Sequence, residues 1–187
     1  FATSVAHGGT YAVTVGTQPV GQTCSVTNGS GTATANVSNV AVSCVTNTYT
    51  IGGTVTGLGA GKSVVLRNNG GDNLTVSASG AFTFAASVAH GNAYSVTVGT
   101  QPVGQACSVT NGSGTATAGV SNVAVACVTN TYVVTASASP PEGGTVSCSP
   151  NPVAHGEASV CTATAVAGYA FSAFSGDCAG STCTLAN

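Results

Sequence analysis

Three observations predict an all-β protein built from small, disulfide-stapled β-sandwich modules in tandem. Val, Thr and Tyr alternate with small residues between Gly, Asn and Pro punctuation, and there is no Met, no Trp and no long helix-forming run. Residues 1–49 recur at 84–132, without a gap, at an offset of 83 residues. Of the 49 aligned positions only seven differ: Thr3/Ala86, Gly9/Asn92, Thr10/Ala93, Ala12/Ser95, Thr23/Ala106, Asn36/Gly119 and Ser43/Ala126. Finally, the eight cysteines form an even set, and both copies space theirs identically.

The 83-residue period sets the module size. Residues 49–131 read as one complete module and residues 1–48 as the C-terminal part of another, because Phe1 is the counterpart of Phe84. Within the complete module seven segments read as strands: Thr50 to Thr56, Ser63 to Arg67, Leu74 to Ser77, Phe82 to Ala86, Tyr94 to Gly99, Ala106 to Thr110 and Asn122 to Val128. Seven short strands in so few residues suggest an immunoglobulin-like β-sandwich. Alternation assigns the faces: Tyr94, Val96 and Val98 point inward with Cys107, Val109, Val123, Val125 and Cys127, while Ser95 and Thr97 point outward. Asn68-Asn69-Gly70-Gly71-Asp72, Ser79-Gly80 and Asn111-Gly112-Ser113-Gly114 supply the positive-φ residues of tight turns. Thr100-Gln101-Pro102 ends a strand, since proline cannot donate to a ladder. The linkers Thr46-Asn47-Thr48 and Thr129-Asn130-Thr131 are so short that a stiff rod is expected rather than beads on a string.

Charge is nearly absent. Lys62, Arg67, Asp72, Glu142, Glu157 and Asp177 are the only charged side chains, and the net charge is −2. Without a basic patch there is no counterion release to drive nucleic-acid binding, and no electrostatic docking on anionic lipid. No apolar run reaches the length of a membrane span, so no membrane insertion is expected. Sheet edges are ordinarily protected by charge, above all lysine; here they are expected to be covered by neighbouring modules or to associate.

Cys24 and Cys44, and Cys107 and Cys127, lack the close-pair spacing of zinc ligands, so disulfides are the reading, which places the protein outside the cytosol. Closing a loop of about 20 residues stabilises a module by roughly 3 kcal/mol. For Cys148, Cys161, Cys178 and Cys183 three connectivities are open. Pairing Cys148 with Cys161, across a proline-containing connection, and Cys178 with Cys183, around a tight Gly/Ser loop, is preferred.

Ile51-Gly52-Gly53-Thr54-Val55, Val64-Val65-Leu66, Gly80-Ala81-Phe82-Thr83-Phe84 and Tyr94-Ser95-Val96-Thr97-Val98 resemble the transthyretin-like or Cna-B-type modules of bacterial surface proteins. From Tyr132 the pattern changes. Tyr132 to Pro140, Gly143-Gly144-Thr145-Val146, Gly168-Tyr169-Ala170-Phe171 and Phe174-Ser175-Gly176-Asp177-Cys178 resemble a divergent internalin-type B-repeat, another small β module. That family usually carries Trp where Phe174 stands and continues into a strand beyond the last cysteine, so residues 132–187 are expected to lack their last strand. These resemblances imply an extracellular or cell-surface location.

Catalysis finds little to work with. His7, His90 and His155 each lie in a Val-Ala-His-Gly tetrapeptide, one per module; a metal site needs three or four ligands, so an exposed turn residue before glycine is the reading. Some Cna-B-type domains form a Lys–Asn isopeptide bond, for which Lys62 and Asn122 would be the partners; Lys62 is read instead as a solvated side chain pairing loosely with Asp72. No nucleophile-elbow pattern or carboxylate pair is present. Asn28, Asn36, Asn73 and Asn111 begin Asn-x-Ser/Thr acceptor patterns that so Ser/Thr-rich a chain produces by chance.

The expectation is therefore a non-enzymatic structural module of a bacterial extracellular fibre or stalk, with no cofactor or metal. Its partners are other copies or neighbouring modules, through head-to-tail strand complementation. The alternative is an adhesin segment for glycan or another ordered surface. Alkylating the native protein without reduction is expected to add no mass; a labelled thiol in the native state contradicts the staples.

Overall fold

The computed structural model describes residues 1–178, 180 and 182–186. Residues 1–48 form β1 (Thr10–Ala12), β2 (Gln22–Thr27), β3 (Ser30–Thr32) and β4 (Ala41–Thr46). A connector strand, β5 (Thr48–Tyr49), leads into β6 (Ile51–Thr56), β7 (Val64–Asn68), β8 (Asp72–Val76), β9 (Gly80–Thr83) and β10 (Val88–Ala89). The module continues with β11 (Ala93–Thr100), β12 (Gln105–Thr110), β13 (Ser113–Thr115) and β14 (Val120–Thr129). A second connector strand, β15 (Thr131–Tyr132), precedes β16 (Gly144–Ser149), β17 (Val153–Ala154), β18 (Ala158–Ala165) and β19 (Cys183–Ala186). Among the described residues the only helical turn is Pro141–Gly143. The protein is all-β, with several small sheets consistent with sandwich modules.

Residues Ile51–Thr129 fold into two four-stranded sheets, in the orders β12–β14–β6–β9 and β13–β11–β7–β8. Between them Ile51, Val55, Val64, Leu66, Val123 and Val125 are fully buried, with Phe82, Phe84 and Tyr94 around them. Inward and outward residues alternate along β11 and β14, as a half-buried strand requires. Every pairing is antiparallel except that of β6 with β14, which runs parallel with Gly53 opposite Val123 and Val55 opposite Val125.

This central strand is fitted by glycine. A Cβ on Gly53 would collide with the Val123 carbonyl of β14, and one on Gly52 would strike the Phe82 carbonyl of β9. Having no side chain at these two positions lets β6 sit between two neighbours at once. In the opposite sheet Tyr94 lies in register with Gly114 and its ring covers the glycine, an aromatic shielding of backbone that a larger residue would displace.

The first 48 residues reproduce half of this arrangement. β1–β3 and β2–β4 pair with the registers of β11–β13 and β12–β14, with Tyr11 opposite Gly31 and Cys24 opposite Cys44. Among the described residues no strand pairs with the outer edge of β4. Its residues are all exposed: Val42 is 60% accessible, where its counterpart Val125 is 0%.

Two features depart from the sequence reading. Ser113-Gly114, assigned to a turn, belongs to β13; only Asn111-Gly112 turns, with Asn111 at φ 55° and its side chain donating to the Asn122 carbonyl oxygen. The segment read as Phe82 to Ala86 pairs earlier, over Gly80–Thr83, because its register on β6 begins at Gly80 opposite Val55. In the last module β19 carries the final cysteine and pairs with β18 from Ala158 opposite Ala186 to Cys161 opposite Cys183.

Gly53→Ala is predicted to lower unfolding free energy by about 2 kcal/mol or more in chemical denaturation of the full chain, since β6 must part from β14. Gly71→Ala, where nothing lies within 4 Å of the added Cβ, is predicted to stay within about 0.5 kcal/mol of wild type.

Candidate functional site

The feature that recurs at each module boundary is a joint. On one side stands the turn Pro19-Val20-Gly21-Gln22, closed by a hydrogen bond from Gln22 N–H to the Pro19 carbonyl (3.3 Å), with Gly21 at φ 72°. Its repeat, Pro102-Val103-Gly104-Gln105, is closed the same way at 3.2 Å with Gly104 at φ 68°. Glycine is needed at the third position because an L side chain rarely adopts that φ. Each turn is pinned to its module by the preceding glutamine: Gln101 Nε2 donates to the Cys107 carbonyl (2.9 Å) and Oε1 accepts from the Cys107 N–H (2.7 Å). Gln18 holds Cys24 in the same manner.

On the other side stands the Val-Ala-His-Gly turn of the next module. Asn92 N–H donates to the Ala89 carbonyl (3.0 Å) and Glu157 N–H to the Ala154 carbonyl (3.0 Å), with Gly91 and Gly156 at φ 82° and 84°. The histidine, at the second turn position, projects back onto the preceding module. A Cβ on Gly21 would fall inside the His90 imidazole, and one on Gly104 inside that of His155.

A single asparagine connects the halves. Asn47 donates its N–H to the Gly21 carbonyl (2.9 Å) and its carbonyl accepts from His90 N–H (2.8 Å). Asn130 does the same between Gly104 (2.9 Å) and His155 (2.8 Å). The connector strands then pair with the receiving loop: Tyr49 opposite Val88 and Thr48 opposite Ala89, Tyr132 opposite Val153 and Thr131 opposite Ala154. Tyr49 packs edge-on to His90 at 5.9 Å between ring centroids, and its hydroxyl lies 3.4 Å from Nδ1. Tyr132 tilts over His155 at 6.2 Å, and there Nδ1 is buried without a hydrogen-bond partner.

The reading of all three histidines as exposed turn residues is therefore corrected for two. His7 is exposed, whereas His90 and His155 are half-buried in joints. The tetrapeptide was visible as a recurrence; its partner, a glycine some 50 to 70 positions earlier, carried no sequence signal of contact.

The other singled-out residues serve the framework. Cys24–Cys44, Cys107–Cys127 and Cys148–Cys161 join directly opposed residues of neighbouring strands, each with Cα atoms 3.9 Å apart. Cys178 bonds Cys183 with Cα atoms 5.2 Å apart; of the loop between them, Ala179 and Ser181 lie outside the described residues. Lys62 does not pair with Asp72. Its Nζ donates to the Val103 carbonyl (2.7 Å), and Asp72 Oδ2 accepts from the Ala86 N–H (3.2 Å), because each side chain stands beside a free backbone group. Buried Gln105 bridges β12 to the loop after β6: its Nε2 donates to the Gly57 carbonyl and its Oε1 accepts from the Gly59 N–H, both at 2.9 Å.

Among the described residues no three His, Cys, Asp or Glu side chains gather as metal ligands. An open cleft of about 540 Å³ in the last module is bordered by Val146, Ala163, Tyr169, Phe171 and Phe174, and among the described residues Asp177 is the one charged side chain that lines it.

Residues 132–187 match the family model of the divergent InlB B-repeat domain, a domain that points to a bacterial surface module. No curated protein and no solved structure matches the chain. The disulfides and the B-repeat match fit an extracellular or surface protein, and among the described residues no helix is long and apolar enough to cross a membrane.

Proposed function

We propose that this chain is a non-enzymatic length of a modular array, a stalk or fibre of a bacterial extracellular or surface protein, with tandem transthyretin-like repeats ahead of the B-repeat module. Copies of the same repeat, or neighbouring modules, are its partners. The repetition of module and joint supports this, as does the scarcity of chemical groups: Lys62 and Asp72 are engaged with backbone, and six charges are spread over the whole sequence.

The observation that carries the assembly reading is the contrast between β4 and β14. Their sequences differ only at Ser43/Ala126, yet Val125 is enclosed by β6 and Val42 is open. β6 of the same chain cannot close over β4. Parallel strands need a crossover of a dozen residues or more, and only Asn47 to Thr50 separate Thr46 from Ile51. The open edge therefore takes a first-half segment of this repeat type from a preceding unit of the array or from a neighbouring molecule, by strand addition.

Placing a copy of residues 50–83 in front of Phe1 tests this. The Val42 methyl resonances are predicted to move to positions like those of Val125, and concentration-dependent association in light scattering is predicted to disappear. Val42 resonances unchanged by the added segment, or a chain that stays monomeric at high concentration without it, contradict completion and assembly respectively.

A further inference from the structure

We infer that the Val-Ala-His-Gly loop is the receiving half of a module-joining surface whose partner is a Pro-Val-Gly turn followed by an Asn-Thr-Tyr connector, and that it works whatever module carries it. The two joints are built from different modules. The first joins two copies of the repeat; the second joins the repeat to the B-repeat-type module. Beyond the tetrapeptide and the Gly-x-Ala that follows the histidine, the two receiving modules share little sequence: Tyr94-Ser95-Val96 in one stands where Ser159-Val160-Cys161 stands in the other. The contacts are nonetheless the same one by one. Both have the two backbone hydrogen bonds of the asparagine, the two-residue antiparallel connector pairing, and the imidazole lying where a Cβ of the turn glycine would be.

Each part has a chemical role that the residue type explains. Glycine at position 21 or 104 is required twice, for its φ and for the space that the imidazole occupies. The asparagine backbone spends both its hydrogen-bonding groups on the joint, donating to one module and accepting from the next, so the modules cannot rotate about the connector without breaking a bond. Glycine at position 91 or 156 permits the turn that aims the histidine. A joint with these elements fixes orientation, where two domains on a short linker would otherwise move by default.

The inference extends to the exposed copy. Val5-Ala6-His7-Gly8 forms the same turn, with Gly9 N–H donating to the Ala6 carbonyl (2.8 Å) and Gly8 at φ 78°. Its free surface fits the C-terminal end of a further repeat, namely a Pro-Val-Gly turn and an Asn-Thr-Tyr connector. This deepens the array reading and rests on it for its purpose; the joint itself is tested separately from strand completion, because it concerns module orientation and not the open edge of β4.

Residual dipolar couplings of the full chain decide it. In the wild type, amides of Ile51–Thr129 and of Gly144–Ala165 are expected to fit one alignment tensor. His155→Ala and Gly104→Ala are each expected to reduce the alignment of the last module relative to the middle one by about twofold or more, while chemical shifts within each module stay at wild-type values. Gly61→Ala, at φ 72° with nothing within 4 Å of the added Cβ, controls for backbone strain and is expected to leave the single tensor unchanged. Independent tensors in the wild type, or retention of the single tensor in His155→Ala, overturn the inference. If Gly104→Ala unfolds its module, His155→Ala alone decides.

Discussion

The parallel pairing of β6 with β14 is the interaction on which the rest of the molecule depends. It brings the first and last strands of the repeat together, so that Ile51 and Val55 can bury Val123 and Val125. A module of this size gains only a modest core from its residues, and separating these strands would expose most of it. The pairing also explains two glycines in succession: Gly52 and Gly53 lie between the carbonyls of Phe82 and Val123, where any side chain would hold the strands apart. Because a parallel partner must return through a long crossover, the same constraint fixes which half-modules can close on one another. Four residues after β4 cannot carry β6 back to its start, so the β6 that follows β4 cannot complete it.

Covalent and polar devices secure what this core begins. The disulfide of each repeat lies between adjacent strands, holding the β12–β14 pair on which β6 rests, and in the complete module both sulfurs are enclosed. Gln101 ties the loop before β12 to the backbone of Cys107, while Gln105 ties the loop after β6 to the same strand. These glutamines flank the Pro-Val-Gly turn. The network that closes the sandwich thus also presents the glycine against which the next module's histidine packs, linking the stability of one module to the position of its neighbour.

Much of this fold could be read from residue order. Alternation along Tyr94–Val98 and Val123–Cys127 assigned faces correctly, because burial on one side leaves a period-two record. Partner choice leaves no such record: nothing in Ile51–Thr56 announces a parallel neighbour some 70 residues away. β13 was missed because Ser113-Gly114-Thr115 has no apolar side chain; its place is fixed by the ring of Tyr94 lying over Gly114. The two-residue connector strands were missed for a related reason, since each is stabilised by pairing across a module boundary. At the candidate site the histidine tetrapeptide was conspicuous, but its meaning was not. A turn signal describes local backbone, and what the imidazole touches is decided by a glycine in another module. Lys62 and Asp72 drew attention as opposite charges, whereas the structure uses both to satisfy backbone groups.

The chain contains its own control for the central claim. β4 and β14 have almost the same sequence and the same antiparallel partner, so their intrinsic amide exchange rates are nearly equal and they differ mainly in the presence of β6. Native-state hydrogen exchange, read on the amides that point away from β2 and β12 respectively, isolates that difference. The account predicts that these amides in β14 exchange at least about 100-fold more slowly than those in β4, as expected of core against open-edge groups. Equal protection of the two strands would contradict it.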